Sequence, residues 1–103
     1  MKSKRTIATS ISYRVRQTVH ERDRGCILCG RNYYLEVAHY IPRSRGGKGI
    51  EENLVLLCRE CHRKFDQSIQ RKEIASLVES YLKSHYKDWD NQKLIYKKRE
   101  QYE

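Results

Sequence analysis

The pattern of apolar and polar residues predicts an amphipathic helix near the N-terminus, over residues 12–24. Val15 and Val19 fall on one face of a helix from about Tyr13 to Asp23. Ser12 lies at its N-cap position, and the helix is expected to stop at the glycine that follows. The remaining sides of the helix are basic, with Arg14, Arg16, Arg22 and Arg24.

The middle of the chain has the pattern of two short strands. Leu35 to Tyr40 and Asn53 to Leu57 are short apolar runs with strand character. Pro42 and three glycines make the stretch from Pro42 to Glu52 a loop. The two strands are therefore expected to form a hairpin with a long, basic connection.

Two more helices are predicted after the hairpin. The first begins near Cys61, because Cys61, Phe65 and Ile69 recur at helical spacing and would face the core. The second runs from about Arg71 to His85 and has an apolar stripe made by Ile74, Leu77, Val78, Tyr81 and Leu82. This stripe either packs on the rest of the domain or forms a dimer contact.

The chain has the length of one domain. Its 103 residues, 38% of them hydrophobic, allow only a limited core. We interpret residues 1–103 as a single domain in which residues 70–103 form a C-terminal helical extension. Beyond Trp89, either Leu94 and Ile95 anchor a basic tail helix or the tail frays in solution. No apolar run approaches the roughly 20 residues that a bilayer span needs, so no membrane contact is expected.

Two Cys-x-x-Cys pairs frame the predicted hairpin, Cys26 with Cys29 and Cys58 with Cys61. The N-terminus lacks the apolar segment of a secretory signal, so we expect a cytoplasmic protein whose thiols stay reduced. Pairs at this spacing supply four thiolates for one tetrahedral zinc ion, which would stabilise a small core. Disulfides and a lone redox pair are the alternatives.

The charge of the chain indicates a polyanionic partner. The formal net charge is +9, and the first twenty positions hold five Lys or Arg and no acidic residue. Basic residues spread along a chain suit the phosphate backbone of DNA. The alternative is a charged surface that has no nucleic-acid partner.

Three segments of the sequence resemble the HNH endonuclease family. They are CILCG at Cys26 to Gly30, LEVAHYIPRSRGG at Leu35 to Gly47, and ENLVLLCRECH at Glu52 to His62. Each knuckle alone is common, whereas this ordered set is not, and the resemblance covers about residues 14–66. It implies an α+β fold with a zinc-stabilised ββα-metal core over residues 25–69 and flanking helices, as in small stand-alone proteins of phages and bacteria.

The resemblance also implies the roles of several residues. His39 matches the general base and His62 a ligand of the catalytic cation. Asn53 matches the residue that ties the loop to the hairpin and helps to hold the orientation of the base. His62 and Asp66 are one helical turn apart, so both can reach one Mg²⁺, Mn²⁺, Ni²⁺ or Zn²⁺ ion. The alternatives are that His62 belongs to the zinc site and that Asp66 is a solvated carboxylate.

One position departs from the family pattern. Many members have Asp or a second His immediately before the base, where this chain has Ala38. Alanine offers no ligand atom. Either Glu36, which has the same strand parity, or water and the substrate phosphate would have to complete the coordination shell.

The function implied is that of a metal-dependent DNA endonuclease that hydrolyses phosphodiester bonds and leaves 3′-hydroxyl and 5′-phosphate ends. The residues expected to contact DNA are Arg43, Arg45, Lys48 and Arg63. One alternative is a non-catalytic zinc module that binds nucleic acid or protein. Another is a nuclease subunit that is active only in a phage packaging or restriction complex, and a homodimer is left open.

Overall fold

The computed structural model describes residues 2–97. It has four helices and a two-stranded sheet, joined by loops and 3-10 turns. In chain order these are α1 (Lys4–Thr9), α2 (Tyr13–Asp23), β1 (Leu35–His39), β2 (Leu54–Cys58), α3 (Arg59–Gln67) and α4 (Arg71–His85). Hairpin and α3 follow one another directly, which confirms the predicted α+β fold with a ββα core.

The sheet is an antiparallel hairpin that lies between two apolar layers. Its register pairs Leu35 with Cys58 and His39 with Leu54. On one face, Leu35 and Val37 of β1 pack with the layer around Val19 of α2. The other face packs against Phe65 of α3 and the buried side of α4. Every residue of β2 is buried, because both of its faces are covered.

Helix α2 has the predicted bounds. The Ser12 hydroxyl accepts a hydrogen bond of 3.2 Å from the backbone N–H of Val15, as an N-cap does. The helix is ended by Arg24, which adopts the left-handed conformation with φ of 63°, one residue before the expected glycine. Arginine takes up this conformation although the adjacent Gly25 would do so with less strain.

Helix α3 begins two residues earlier than predicted. The sulfur of Cys58 lies 3.4 Å from the backbone N–H of Cys61 and caps the first turn. The helix ends at Gln67, so Ile69 lies beyond it and is fully exposed. The prediction that Ile69 faces the core is wrong, because the chain leaves the helical path before the third repeat of the pattern.

Helix α4 has the predicted bounds, and its apolar stripe is narrower than expected. Ile74, Val78 and Leu82 are buried against the hairpin, and Tyr81 is partly buried. Leu77 is exposed, so its assignment to the packed stripe is wrong. Residues at a spacing of four share one line along a helix, and this line is what α4 turns toward the core.

The segment after Trp89 folds back on the loop between the strands. It forms a short 3-10 turn, Asn91–Leu94, rather than the tail helix, up to residue 97. Leu94 is buried, as predicted, and its carbonyl oxygen accepts a hydrogen bond of 2.8 Å from the Lys48 backbone. Ile95 forms a β-bridge with Gly47. The remainder of the predicted tail lies outside the described residues.

A polar network joins α2, β2 and α4. The Asp23 carboxylate is fully buried and receives two hydrogen bonds from Arg22, of 2.6 and 3.0 Å. It also accepts hydrogen bonds from the backbone N–H of Leu56, at 2.8 Å, and from the hydroxyl of Tyr81. A buried carboxylate with this many donors fixes the helices relative to the sheet.

Among residues 2–97, no helix is long and apolar enough for a bilayer span.

Candidate active site and metal centre

The four cysteines meet at the open end of the hairpin. Cys26 and Cys29 lie on the loop before β1, where a hydrogen bond of 2.9 Å from the Gly30 N–H to the Cys26 carbonyl closes the knuckle. Cys58 ends β2 and Cys61 lies in the first turn of α3. The four sulfur atoms all lie within 4.8 Å of one another, and those of Cys29 and Cys58 are 3.6 Å apart. Tetrahedral zinc with bonds of about 2.3 Å needs sulfurs about 3.8 Å apart.

The environment of Cys26 favours the thiolate that a metal requires. Burial by itself would raise the pKa of this thiol. Backbone amide groups of Cys58, Cys29 and Leu28 outweigh the burial and lower the pKa to about 7. The donor set and its spacing therefore fit a structural zinc ion, which would be held by Cys26, Cys29, Cys58 and Cys61.

His39 lies at the end of β1 and contacts the N-terminal segment. Its Nε2 is 3.0 Å from the carbonyl oxygen of Thr9, the last residue of α1. A carbonyl oxygen can only accept, so Nε2 carries the proton and Nδ1 of the neutral ring has a free lone pair. Burial holds the pKa of His39 below its usual value, and the hydrogen bond to the Thr9 carbonyl opposes this effect. The positive charge of Arg43 lowers the pKa further, as does His62 when it is protonated.

Asn53 is fully buried under the loop between the strands. Its Oδ1 accepts a hydrogen bond of 2.8 Å from the backbone N–H of Ile41. Its Nδ2 donates to the carbonyl oxygens of Ile41, at 3.1 Å, and Lys48, at 2.9 Å. These three bonds fix the loop directly after His39. Asn53 makes no hydrogen bond to the His39 ring.

His62 lies between two carboxylates on the face of α3 that points toward β1. Its Nδ1 is 2.8 Å from Glu36 Oε1, and its Nε2 is 3.5 Å from Asp66 Oδ2. Glu36 and Asp66 thus lie on opposite edges of one imidazole ring. A carboxylate on Nδ1 orients a histidine so that its Nε2 lone pair is available to a cation, here beside Asp66.

Ala38 points into the apolar layer between the hairpin and α3. Its side chain is 1% exposed and packs with Val55, Leu57 and Phe65. This position therefore supplies packing and no ligand. Within residues 2–97, the four cysteines are the one group in which three or more ligand atoms lie within 4.8 Å of one another.

The basic residues predicted to contact DNA lie on more than one surface. Arg43 and Arg45 are exposed on the loop between the strands, and Arg63 is exposed on α3. Lys48 is partly buried, and its backbone is held by Asn53 and Leu94. A cleft of about 490 Å³ beside Tyr40 and Phe65 brings Arg45 together with Arg71 and Lys72 of α4. None of these three cations forms an ion pair within the described part of the chain.

Comparison with known proteins identifies the framework that holds these residues. Residues 26–67 match the HNH endonuclease family model. The chain contains an HNH endonuclease domain. A relative, the type IV methyl-directed restriction enzyme EcoKMcrA of Escherichia coli (strain K12), is 39% identical over 62 residues, which cover 52% of this chain. The chain spans only 22% of the length of that relative.

Two contributions around the HNH domain were not predicted from the sequence. The Thr9 partner of His39 is a backbone carbonyl at the end of the short helix α1, so no side-chain motif marks it. Arg71 and Lys72 lie beyond the matched residues 26–67 and reach the cleft because α4 turns back on α3. The basic start of α4 was visible in the sequence, although its position was not.

Proposed function

We propose that this protein is a metal-dependent DNA endonuclease whose general base is Nδ1 of His39. The observation that carries the proposal is the hydrogen bond of 3.0 Å between His39 Nε2 and the Thr9 carbonyl, which leaves Nδ1 unprotonated. The lowered pKa of His39 keeps the ring neutral at physiological pH. In this scheme Nδ1 takes a proton from water, whose oxygen forms the new bond to phosphorus while the bond to the 3′ oxygen breaks.

The cation in the proposed mechanism is held by His62 Nε2 and Asp66. Glu36 acts through His62, since its carboxylate accepts the Nδ1 proton at 2.8 Å and orients the ring. Mixed nitrogen and oxygen ligands with open positions suit Mg²⁺, Mn²⁺, Ni²⁺ or Zn²⁺. A divalent ion bound there would neutralise charge on the scissile phosphate and the leaving oxygen. Ala38 is buried and supplies no ligand. Glu36 does not replace that ligand in this scheme, because it acts by orienting His62 and not by binding the cation.

DNA is the proposed substrate, because the surfaces around His39 are basic. Arg43 lies near enough to His39 to affect its pKa. Arg45, Arg71 and Lys72 share one cleft and have no carboxylate partner among residues 2–97, so they are available to backbone phosphates. The relationship to a methyl-directed restriction enzyme supports restriction of DNA in the cytoplasm as the process. The 3′-hydroxyl and 5′-phosphate ends implied by the family belong to the same proposal.

Plasmid cleavage with and without Mg²⁺, Mn²⁺ or Ni²⁺ tests this proposal. The His39→Ala variant should lose about 10² to 10⁴-fold in rate, as expected when a general base is removed. His20→Ala, which removes an exposed histidine of α2, is the matched control and should retain the wild-type rate. A His39→Ala protein that cuts as fast as wild type would show that another group is the base.

The second candidate function is a non-catalytic zinc module that binds DNA. The burial of Ala38 favours it, because the second metal site then lacks a ligand that many family members have. DNA binding that weakens with salt, combined with no cleavage in any of the three metals, would support this function and reject the endonuclease.

A further inference from the structure

Two adjacent tyrosines stand on the surface between the first cysteine pair and β1. Tyr33 is 56% exposed and Tyr34 is 68% exposed. Their rings contact each other edge to face, with centroids 5.5 Å apart and an interplanar angle of 71°. Burial of a large aromatic side chain contributes more binding free energy than burial of a small side chain. An exposed pair of tyrosines therefore indicates a contact surface.

Each tyrosine is paired with an arginine. The Arg31 guanidinium lies 5.1 Å from the centre of the Tyr33 ring, and that of Arg59 lies 5.5 Å from the centre of the Tyr34 ring. These are cation–π contacts, in which the planar guanidinium lies over the ring of the tyrosine. We call these four residues, Arg31, Tyr33, Tyr34 and Arg59, the tyrosine platform.

The backbone of Tyr34 is held in an unfavourable conformation that presents its ring outward. Its φ of 53° lies in the left-handed region, which a bulky side chain rarely adopts. The Tyr34 carbonyl accepts a hydrogen bond of 2.8 Å from the Arg59 N–H at the start of α3, which fixes the turn. Strain of this kind persists only where surrounding contacts enforce it, and it is frequent in segments that contact ligands.

The platform adjoins the proposed cation site through Arg59. The Arg59 Nε is 3.7 Å from Glu36 Oε2, and the other oxygen of this carboxylate bonds to His62. Along β1, Tyr34 and His39 are separated by five residues, or about 16 Å of extended chain. A DNA strand with a phosphate at His62 therefore passes beside the platform within a few nucleotides.

We propose that the tyrosine platform stacks an unpaired nucleobase of the strand being cut. Exposed aromatic rings bind unpaired bases by stacking, since every base has a π-face. The two arginines hold the rings in place and are themselves paired with carboxylates, Arg31 with Glu60 at 3.5 Å and Arg59 with Glu36 at 3.7 Å. In duplex DNA the faces of the bases are covered by their neighbours, so the platform gives a preference for bulged, frayed or single-stranded substrates. The net charge of +9 favours a nucleic acid over a protein as the occupant. The inference rests on the proposed function, which supplies DNA as the ligand and His62 as the position of the scissile phosphate.

Binding measured without cleavage tests the platform. The zinc-loaded full chain, with no catalytic cation added, is titrated into two DNAs of equal length, one fully paired and one with a single unpaired 2-aminopurine. The wild type should bind the second DNA about tenfold more tightly and change the fluorescence of the unpaired base. Tyr33→Ala combined with Tyr34→Asn should abolish this preference and the fluorescence change. Asparagine tolerates the left-handed backbone, so the turn is kept.

Tyr13→Ala is the matched control, because Tyr13 is 76% exposed at the start of α2 and is not one of the platform residues. It should bind both DNAs as the wild type does. The tyrosine changes should also leave the salt dependence of duplex binding unaltered, since they remove no charge.

Equal wild-type affinity for the two DNAs overturns the platform and leaves the nuclease proposal intact. A double variant that keeps the preference overturns the platform as its cause. A wild type that binds neither DNA overturns both proposals.

Discussion

The carbonyl oxygen of Thr9 lies 3.0 Å from Nε2 of His39. A residue in the N-terminal segment thereby determines which nitrogen of the ring carries the proton. Helix α1 is in turn fastened to the loop after His39, since Arg5 donates a hydrogen bond of 2.8 Å to the Ser44 carbonyl. The proposed base is thus positioned by a segment that lies outside the matched family residues 26–67.

The pKa of His39 should lie below the ordinary histidine value of about 6.5. Its neutral form then persists to lower pH, so the acid limb of the pH–rate profile falls below pH 6.5. Because the unfolded chain takes up the proton first, the stabilising contribution of neutral His39 is lost as pH falls from 6.5 through the folded pKa.

Arg43→Gln should raise the pKa of His39, because it removes a positive charge, whereas Arg14→Gln on α2 should not. Histidine NMR titration measures both; an unchanged His39 pKa in Arg43→Gln contradicts the assignment.

Gly49→Ala should detach the N-terminal segment from the loop. A Cβ at Gly49 would overlap the carbonyl group of Ser10, next to Thr9. Overpacking of this kind costs about 1–3 kcal/mol, and here it would also displace the partner of His39. Thermal unfolding and cleavage rate should fall together. Gly30→Asn, at an open position whose left-handed φ asparagine tolerates, is the control and should change neither property much.

Removal of the structural metal should unfold the core. We expect the purified protein to carry zinc at Cys26, Cys29, Cys58 and Cys61. Chelation should abolish the helical circular dichroism, because Cys58 also caps α3, and added zinc should restore it. Cys61→Ser should lower the zinc content in the same way. A metal-free protein that melts at the same temperature as the zinc-loaded one would rule out this stabilising role.

Asn53→Ala should destabilise the protein by about 3 kcal/mol. The change leaves the backbone groups of Ile41 and Lys48 without their amide partner in a buried setting. Urea unfolding measures the loss, and Asn32→Ala, at an exposed asparagine, should cost less than about 0.5 kcal/mol. Equal effects of the two changes would mean that the amide does not hold the loop.

Arg71→Gln combined with Lys72→Gln should weaken DNA binding for every sequence. If both cations contact phosphates in the cleft, the slope of log affinity against log salt should decrease by about 2. Arg14→Gln combined with Arg16→Gln removes the same charge from α2 and is the control. A control that reduces the slope as much as the cleft variant would show that only net charge matters.

Much of the fold follows from local patterns. The bounds of α2 and α4 agree with the prediction, because Ser12 caps one and a regular apolar line marks the other. The strands are each shifted or shortened by one residue, since end residues such as Asn53 and Tyr40 have no local signal that separates strand from loop. Ile69 was misplaced because α3 ends two residues before it. Leu77 was misplaced because spacing gives a face, whereas burial depends on where the neighbouring element lies.

The candidate site divides in the same way. The spacing of the cysteines and the expected reducing compartment predicted a metal cluster. The two residues of one Cys-x-x-Cys turn are close in any fold, and the hairpin brings the two pairs together. The order of the family motifs also gave His39, Asn53 and His62 as candidate residues, and their roles stay predictions. Their partners are remote in sequence: Thr9 bonds to His39 across thirty positions and Glu36 to His62 across twenty-six.

The sequence by itself thus predicted α2, α3, α4, the hairpin and the cysteine pairs, because these depend on residue types at short spacing, whereas the short helix α1 was not predicted. Only the tertiary structure decided the contact of Thr9 with Nε2 of His39, the contact of Glu36 with His62 and the cleft that joins Arg45 to α4. Contacts of this kind depend on how α1, α3 and α4 pack on the sheet. That packing is set by the burial of Val19, Phe65 and Val78. The spacing of apolar residues shows which face of a helix is apolar, but it does not show which element covers that face.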